Sequence, residues 1–137
     1  MPLTKGDMLG TWALDEWYVE DEDGARSHPM GRDAQGVIVY TEDGYMSAIV
    51  RAKDRFLPAD RPTDEDRVET FASYVNYAGS WNVDDDNNVI HMVEHALDPN
   101  IQGLTITRAV DHEGARMTFS GAAPGGTGAH VVVWKRR

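Results

Sequence analysis

The chain has 137 residues, 41% of them hydrophobic and 26% charged, with no cysteine and a formal net charge of −10. That length suits one domain, residues 1–137, with a full core or a core that encloses a cavity. The composition excludes disulfides, thiolate catalysis and Cys-ligated zinc, and the acidic balance argues against nucleic acid or an anionic membrane surface as a partner.

The N-terminal segment "MPLTKGDMLGTW" has no apolar signal core, and no apolar run is long enough to span a bilayer. A cytoplasmic location is the expectation. "GTWALDEWYVE" is aromatic and β-rich and ends at the acidic turn "DEDG". "GVIVYTEDGYMSAIV" is a hairpin in which a three-residue loop at 42–44 places Gly44 in a left-handed G1 bulge. That loop pairs Tyr40 with Met46 and Ile38 with Ala48. These four share the expected inner face with Val50, while Val39, Thr41, Tyr45, Ser47 and Ile49 take the other face. A two-residue loop would shift this register and turn one strand over.

Residues 51–62 are polar, hold two prolines and read as a loop. Thr63 and Asp66 then resemble a capping box, and Val68, Phe71, Ala72 and Val75 recur at helical spacing, which predicts a helix near 64–76. "SWNV", "VIHMVEHAL", "GLTITRAV", "ARMTFSG" and "HVVVWKR" complete the series of strands, with turns such as "DDDNN" and "APGGTG" between them. "DDDNN" lacks the Gly and bidentate Glu of a calcium loop, and "APGGTG" lacks the Gly-Lys-Ser/Thr of a phosphate loop. The expected fold is all-β: an antiparallel barrel of about eight strands, closed to hide its edges, with one inserted helix.

His91, Glu94 and His95 spell H-x-x-E-H, the inverted zinc-protease signature. On a helix the two His would share a face and grip one ion. The flanking Val89, Ile90 and Val93 favour a strand, on which His91 and His95 lie about 13 Å apart at about 3.3 Å per residue. Zinc–nitrogen bonds are about 2 Å, so the zinc-protease reading is rejected and no metal or other cofactor is expected.

The blocks "LGTWAL", "GVIVYTEDGYMSAIV", "YAGSWNV", "VIHMVEHALDPN" and "VVWKR", in that order over residues 8–135, resemble the bacterial lipocalin-like domain family. The resemblance implies an up-and-down calycin-type barrel with an internal ligand cavity, and implies little about chemistry. Gly10-Thr11-Trp12 looks like the Gly-x-Trp that opens lipocalin barrels, where the Trp plugs the closed end and an Arg stacks on it. Arg108 is the candidate partner, since an Arg stacks well on a Trp face. The alternative keeps Trp12 as core and Arg108 on the surface.

The expected ligand wall is Trp12, Leu14, Ile38, Tyr40, Met46, Ala48, Val50, Tyr77 and His91, with Arg108 beside Trp12. His91 is expected inward on strand 89–97, because burying a neutral His costs less than burying an unpaired carboxylate such as Glu94. Its role stays open between a structural His bonded to Tyr or backbone and a functional one. Two functions fit. The first is a barrel, monomeric or homodimeric, that holds a small apolar or aromatic metabolite. The second is a cofactor-independent isomerase, cyclase, lyase or hydrolase, with His91 or Glu94 as acid/base and Tyr40 or Tyr77 as hydrogen-bond donor.

Overall fold

The computed structural model describes residues 2–55, 60, 62–122 and 128–137. β-Branched and aromatic residues alternate with polar ones along β1 (Gly10–Glu20), β3 (Gln35–Tyr40), β4 (Tyr45–Arg51), β5 (Tyr74–Val83), β6 (Asn88–Ala96), β7 (Thr105–Glu113), β8 (Arg116–Ala122) and β9 (Ala129–Arg136). A period of two gives each strand one inward face. A two-residue strand, β2 (Arg26–Ser27), pairs with the far end of β1. From β3 to β9 each strand pairs antiparallel with the next, and β1 lies between β3 and β9. The β1–β9 ladder closes the sheet, so the long strands form the expected up-and-down barrel and leave it no open edge. No helix among the described residues is long and apolar enough to cross a membrane.

The hairpin of β3 and β4 has the expected register, with Tyr40 opposite Met46 and Ile38 opposite Ala48. Gly44 closes the turn at φ 90°, a conformation that a residue with a Cβ rarely adopts. Ile38, Tyr40, Met46 and Ala48 are buried, while Tyr45 is exposed.

One expected boundary moves. Helix α2 (Asp64–Ala72) begins at the Thr63–Asp66 capping box, but it ends at Ala72 rather than near residue 76. The chain enters β5 at Tyr74, and Val75 pairs with Val50. The spacing of Val68, Phe71, Ala72 and Val75 therefore runs across a helix and a strand, and Val68 is 67% exposed. A first short helix, α1 (Lys5–Met8), has its own capping box at Thr4 and Asp7. The expected loops at 51–62 and 123–128 lie partly outside the described residues, which omit 56–59, 61 and 123–127.

Two bulges break the period of two. In β1, Leu14 faces Trp134 but Glu16 faces Val133, so Asp15 is an extra residue. In β6, Val93 faces Gly79 but His95 faces Ala78, so Glu94 is extra. A bulge turns every later side chain on its strand to the other face. Gly79 permits the second bulge, because a Cβ there would lie 1.9 Å from the Met92 carbonyl oxygen.

One end of the barrel is plugged. Trp12 is fully buried, and its Nε1–H donates to the Met8 carbonyl at 2.9 Å. Arg136 lies 4.0 Å above the Trp12 ring and donates to the carbonyls of Leu9 and Asp7. The expected stacking partner, Arg108, is thus replaced by Arg136. Strand β9 brings Arg136 opposite Trp12, whereas Arg108 sits on β7, which does not pair with β1.

Candidate functional site

The other end holds a pocket of about 380 Å³. Its wall is mostly apolar: Ile38, Ala48 and Val50 from β3 and β4, Phe119 from β8, and Val132 and Trp134 from β9. The Asp15 bulge turns Trp17 inward to join them. Phe71 and Ala72 of α2, with Leu97 and Ile101 after β6, form the mouth. The aromatic side chains give this wall large apolar area with polar edges.

His91 is the deepest polar group, 1% exposed. Its Nε2 lies 2.6 Å from the Tyr40 hydroxyl, and its Nδ1 lies 2.8 Å from the Tyr77 hydroxyl. Burial, and secondly the charge of Arg108, hold its pKa down at about 3, so the ring is neutral near pH 7. A neutral imidazole has one N–H and one acceptor nitrogen. Tyr40 is 1% exposed, and His91 is its hydroxyl's only partner among the described residues. Its proton is satisfied only if Tyr40 donates to Nε2. Nδ1–H then donates to the Tyr77 oxygen, and the Tyr77 O–H is left with a proton to give. Tyr77 lines the pocket and Tyr40 does not. Burial raises the Tyr77 pKa to about 12 against a smaller opposing effect of Arg108, and burial pushes Tyr40 up as well, so both hydroxyls stay protonated.

Arg108 enters the pocket from β7. A Cβ at Gly121 would lie 2.9 Å from Cδ and Nη1 of Arg108, so the missing side chain on β8 makes the room that this guanidinium occupies. On β9, His130 accepts from Trp17 Nε1–H at 3.0 Å through Nδ1. Burial and then Arg108 lower the His130 pKa. The Nε1–H of Trp134 is buried without an acceptor among the described residues.

A lipocalin-like domain model matches residues 9–137. The chain belongs to the lipocalin-like domain family. No curated protein matches it.

In this lipocalin-like domain the expected ligand wall is divided. Ile38, Ala48, Val50, Tyr77, His91 and Arg108 line the pocket. Trp12, Tyr40 and Met46 are buried beneath it, and Leu14 packs against that core. Tyr40 therefore reaches the pocket only through His91. Glu94 is exposed, on the face opposite His91 and Val93, and as the extra residue of the bulge it also stands outside the ladder. It is not placed to act as an acid or base inside. His95, expected on the face of His91, is turned outward by the bulge and exposed, while Leu97, just past the end of β6, is partly exposed and lines the pocket mouth. Among the described residues, no group of three His, Asp or Glu is arranged to hold a metal ion.

The sequence reading missed Trp17, Ile106, Phe119, His130, Val132 and Trp134 on the wall. The last three alternate along "HVVVWKR", and Ile106 alternates with Arg108 along "TITRAV", so the period of two carried that signal. Trp17 carried none, since only the bulge turns it inward.

Proposed function

We propose that this lipocalin-like domain binds a small apolar or aromatic molecule within its barrel. The observation that carries the reading is the pocket itself. Its volume is within the range of small-molecule sites, and its wall is apolar and aromatic with a few convergent polar groups. Trp17 and Trp134 on the wall supply the assay. Small apolar and aromatic compounds should quench Trp fluorescence. Ala48→Trp should fill the pocket and abolish binding with an unchanged far-UV circular dichroism spectrum. Tyr45→Trp, on the outer face, should leave binding intact. No quenching by any such compound, and no co-purified ligand by mass spectrometry, would overturn the reading.

The second reading is a cofactor-independent isomerase, cyclase, lyase or hydrolase. Its support is Tyr77, a protonated hydroxyl on the pocket wall backed by His91, which suits an oxygen that gains charge in a transition state. His91 itself has a hydroxyl at each nitrogen and stays neutral. It therefore fits the role of positioning Tyr77 better than that of moving a proton. In an assay with an identified ligand, Tyr77→Phe should lower turnover by at least about tenfold. Turnover that survives Tyr77→Phe unchanged would remove this reading.

A further inference from the structure

We propose that the pocket selects an organic anion, a carboxylate carried on an apolar or aromatic body, with the guanidinium of Arg108 as its anchor. This rests on the binding reading above and names the chemistry that the pocket accepts.

The polar groups of the wall are mostly donors. The Tyr77 hydroxyl already accepts from His91 and keeps its own proton. His130 takes the Trp17 N–H on Nδ1, which leaves its other ring nitrogen as the N–H. Trp134 has an N–H without an acceptor among the described residues. Arg108 brings a fork of donors and a full charge, and among the described residues it donates only to the carbonyl of Thr107. No carboxylate among the described residues lies within 4.0 Å of its nitrogens. The residues outside that description include no Asp or Glu. Asp98, the acidic residue of the pocket, stands at the mouth and accepts from Asn100 N–H.

A charge beside apolar walls is held best by an opposite charge that also bonds to it. The protein supplies none. Gly121 keeps the guanidinium in place, because it offers no side chain to displace it. A carboxylate fits the geometry of that fork, and the Tyr77 O–H is a further donor on the same wall for its oxygens to accept from. The remainder of the ligand lies against Phe119, Val132 and Trp134, which ask for an apolar or aromatic body. A neutral ligand of the same shape would bury the same area and could accept a hydrogen bond, but would leave the guanidinium without an opposite charge.

The test is calorimetric titration with two matched pairs: decanoate against decanol, and naphthoate against naphthamide. At least one anion should bind wild-type protein about tenfold or more tighter than its neutral partner, the range of one charged hydrogen-bonded contact. Arg108→Met, which keeps length and apolar stem, should erase that advantage while neutral binding persists. Gly121→Ala keeps the charge but crowds the guanidinium, and should reduce the advantage. It carries the test if Arg108→Met does not fold. If neutral probes bind as tightly as anions, or the preference survives both substitutions, the anion inference is overturned and the binding reading stands. If no probe of either kind binds, both fall.

Discussion

Two arginines show how the ends of this barrel differ. Arg136 is spent on structure: it covers the Trp12 ring at 4.0 Å and bonds two carbonyls at the end of α1. Arg108 faces the pocket and, among the described residues, bonds only the carbonyl of the preceding residue. Two tryptophans repeat the contrast. The Trp12 N–H is taken by Met8, whereas the Trp134 N–H has no acceptor among the described residues. At the plugged end the fold itself takes up the Trp12 N–H and the Arg136 guanidinium, although His112 Nε2, beside the Trp12 ring, has no partner among the described residues. The sharper difference is between the arginines: the one at the plug is bonded into the fold, and the one at the open end faces the pocket of the proposed binding site.

The largest effect expected from this contrast is on the core. Trp12→Ala should cost about 3–5 kcal/mol of stability, since it empties a fully buried site at the plug. Urea denaturation measures it. A cost below about 1 kcal/mol would mean that the plug does not hold the barrel together.

Between the two ends, His91 should impose an acid limit. Its folded pKa is about 3 against an ordinary 6.5, so below pH 6.5 the unfolded chain takes up a proton that the folded chain refuses. Stability is complete above pH 6.5 and falls as pH drops toward 3, by about 1.4 kcal/mol per pH unit where His91 dominates. Denaturation midpoints at pH 7, 6 and 5 should show this slope, as round reference conditions for that linkage. His91→Gln should flatten it. An identical slope in the variant would assign acid sensitivity to other groups.

The arginines themselves give a smaller and sharper contrast. Arg136→Met should cost about 1–2 kcal/mol through the lost ring contact and carbonyl bonds. Arg108→Met should leave stability within about 0.5 kcal/mol or raise it, because it removes a charge without a carboxylate partner. Reversal of that order would break the comparison. The smallest effect is expected at the mouth, where Phe71 is 48% exposed. Phe71→Ala should change stability by less than about 1 kcal/mol and act instead on ligand dissociation, read by stopped-flow fluorescence.

Much of the barrel is legible in the sequence. The hairpin loop at 42–44 needed Gly44 to be left-handed, and this alone set the pairing of Tyr40 with Met46 and Ile38 with Ala48. His91 was legible as inward from the cost of burying Glu94 instead. The helix was legible at its start, through a capping box, and not at its end, because the pairing of Val75 with Val50 overrode a helical spacing. The pocket was legible only in part. Alternation finds the inward face of a strand but says nothing of height along the barrel axis. Tyr40 and Met46 therefore joined the expected wall when they lie beneath it.

The sequence by itself determined the strands, the turn chemistry and the inward faces of each regular stretch, because those follow from local sterics and a period of two. Only the tertiary structure decided the two bulges, the partner of Trp12 and the place of Arg108. A bulge arises where two strands of a closed barrel must keep register with neighbours on both sides. One extra residue, Asp15 or Glu94, then reverses every side chain that follows on its strand. Trp17 enters the pocket and His95 leaves it for that reason. Which arginine meets Trp12 depends on β9 closing against β1, a contact between residues at opposite ends of the chain.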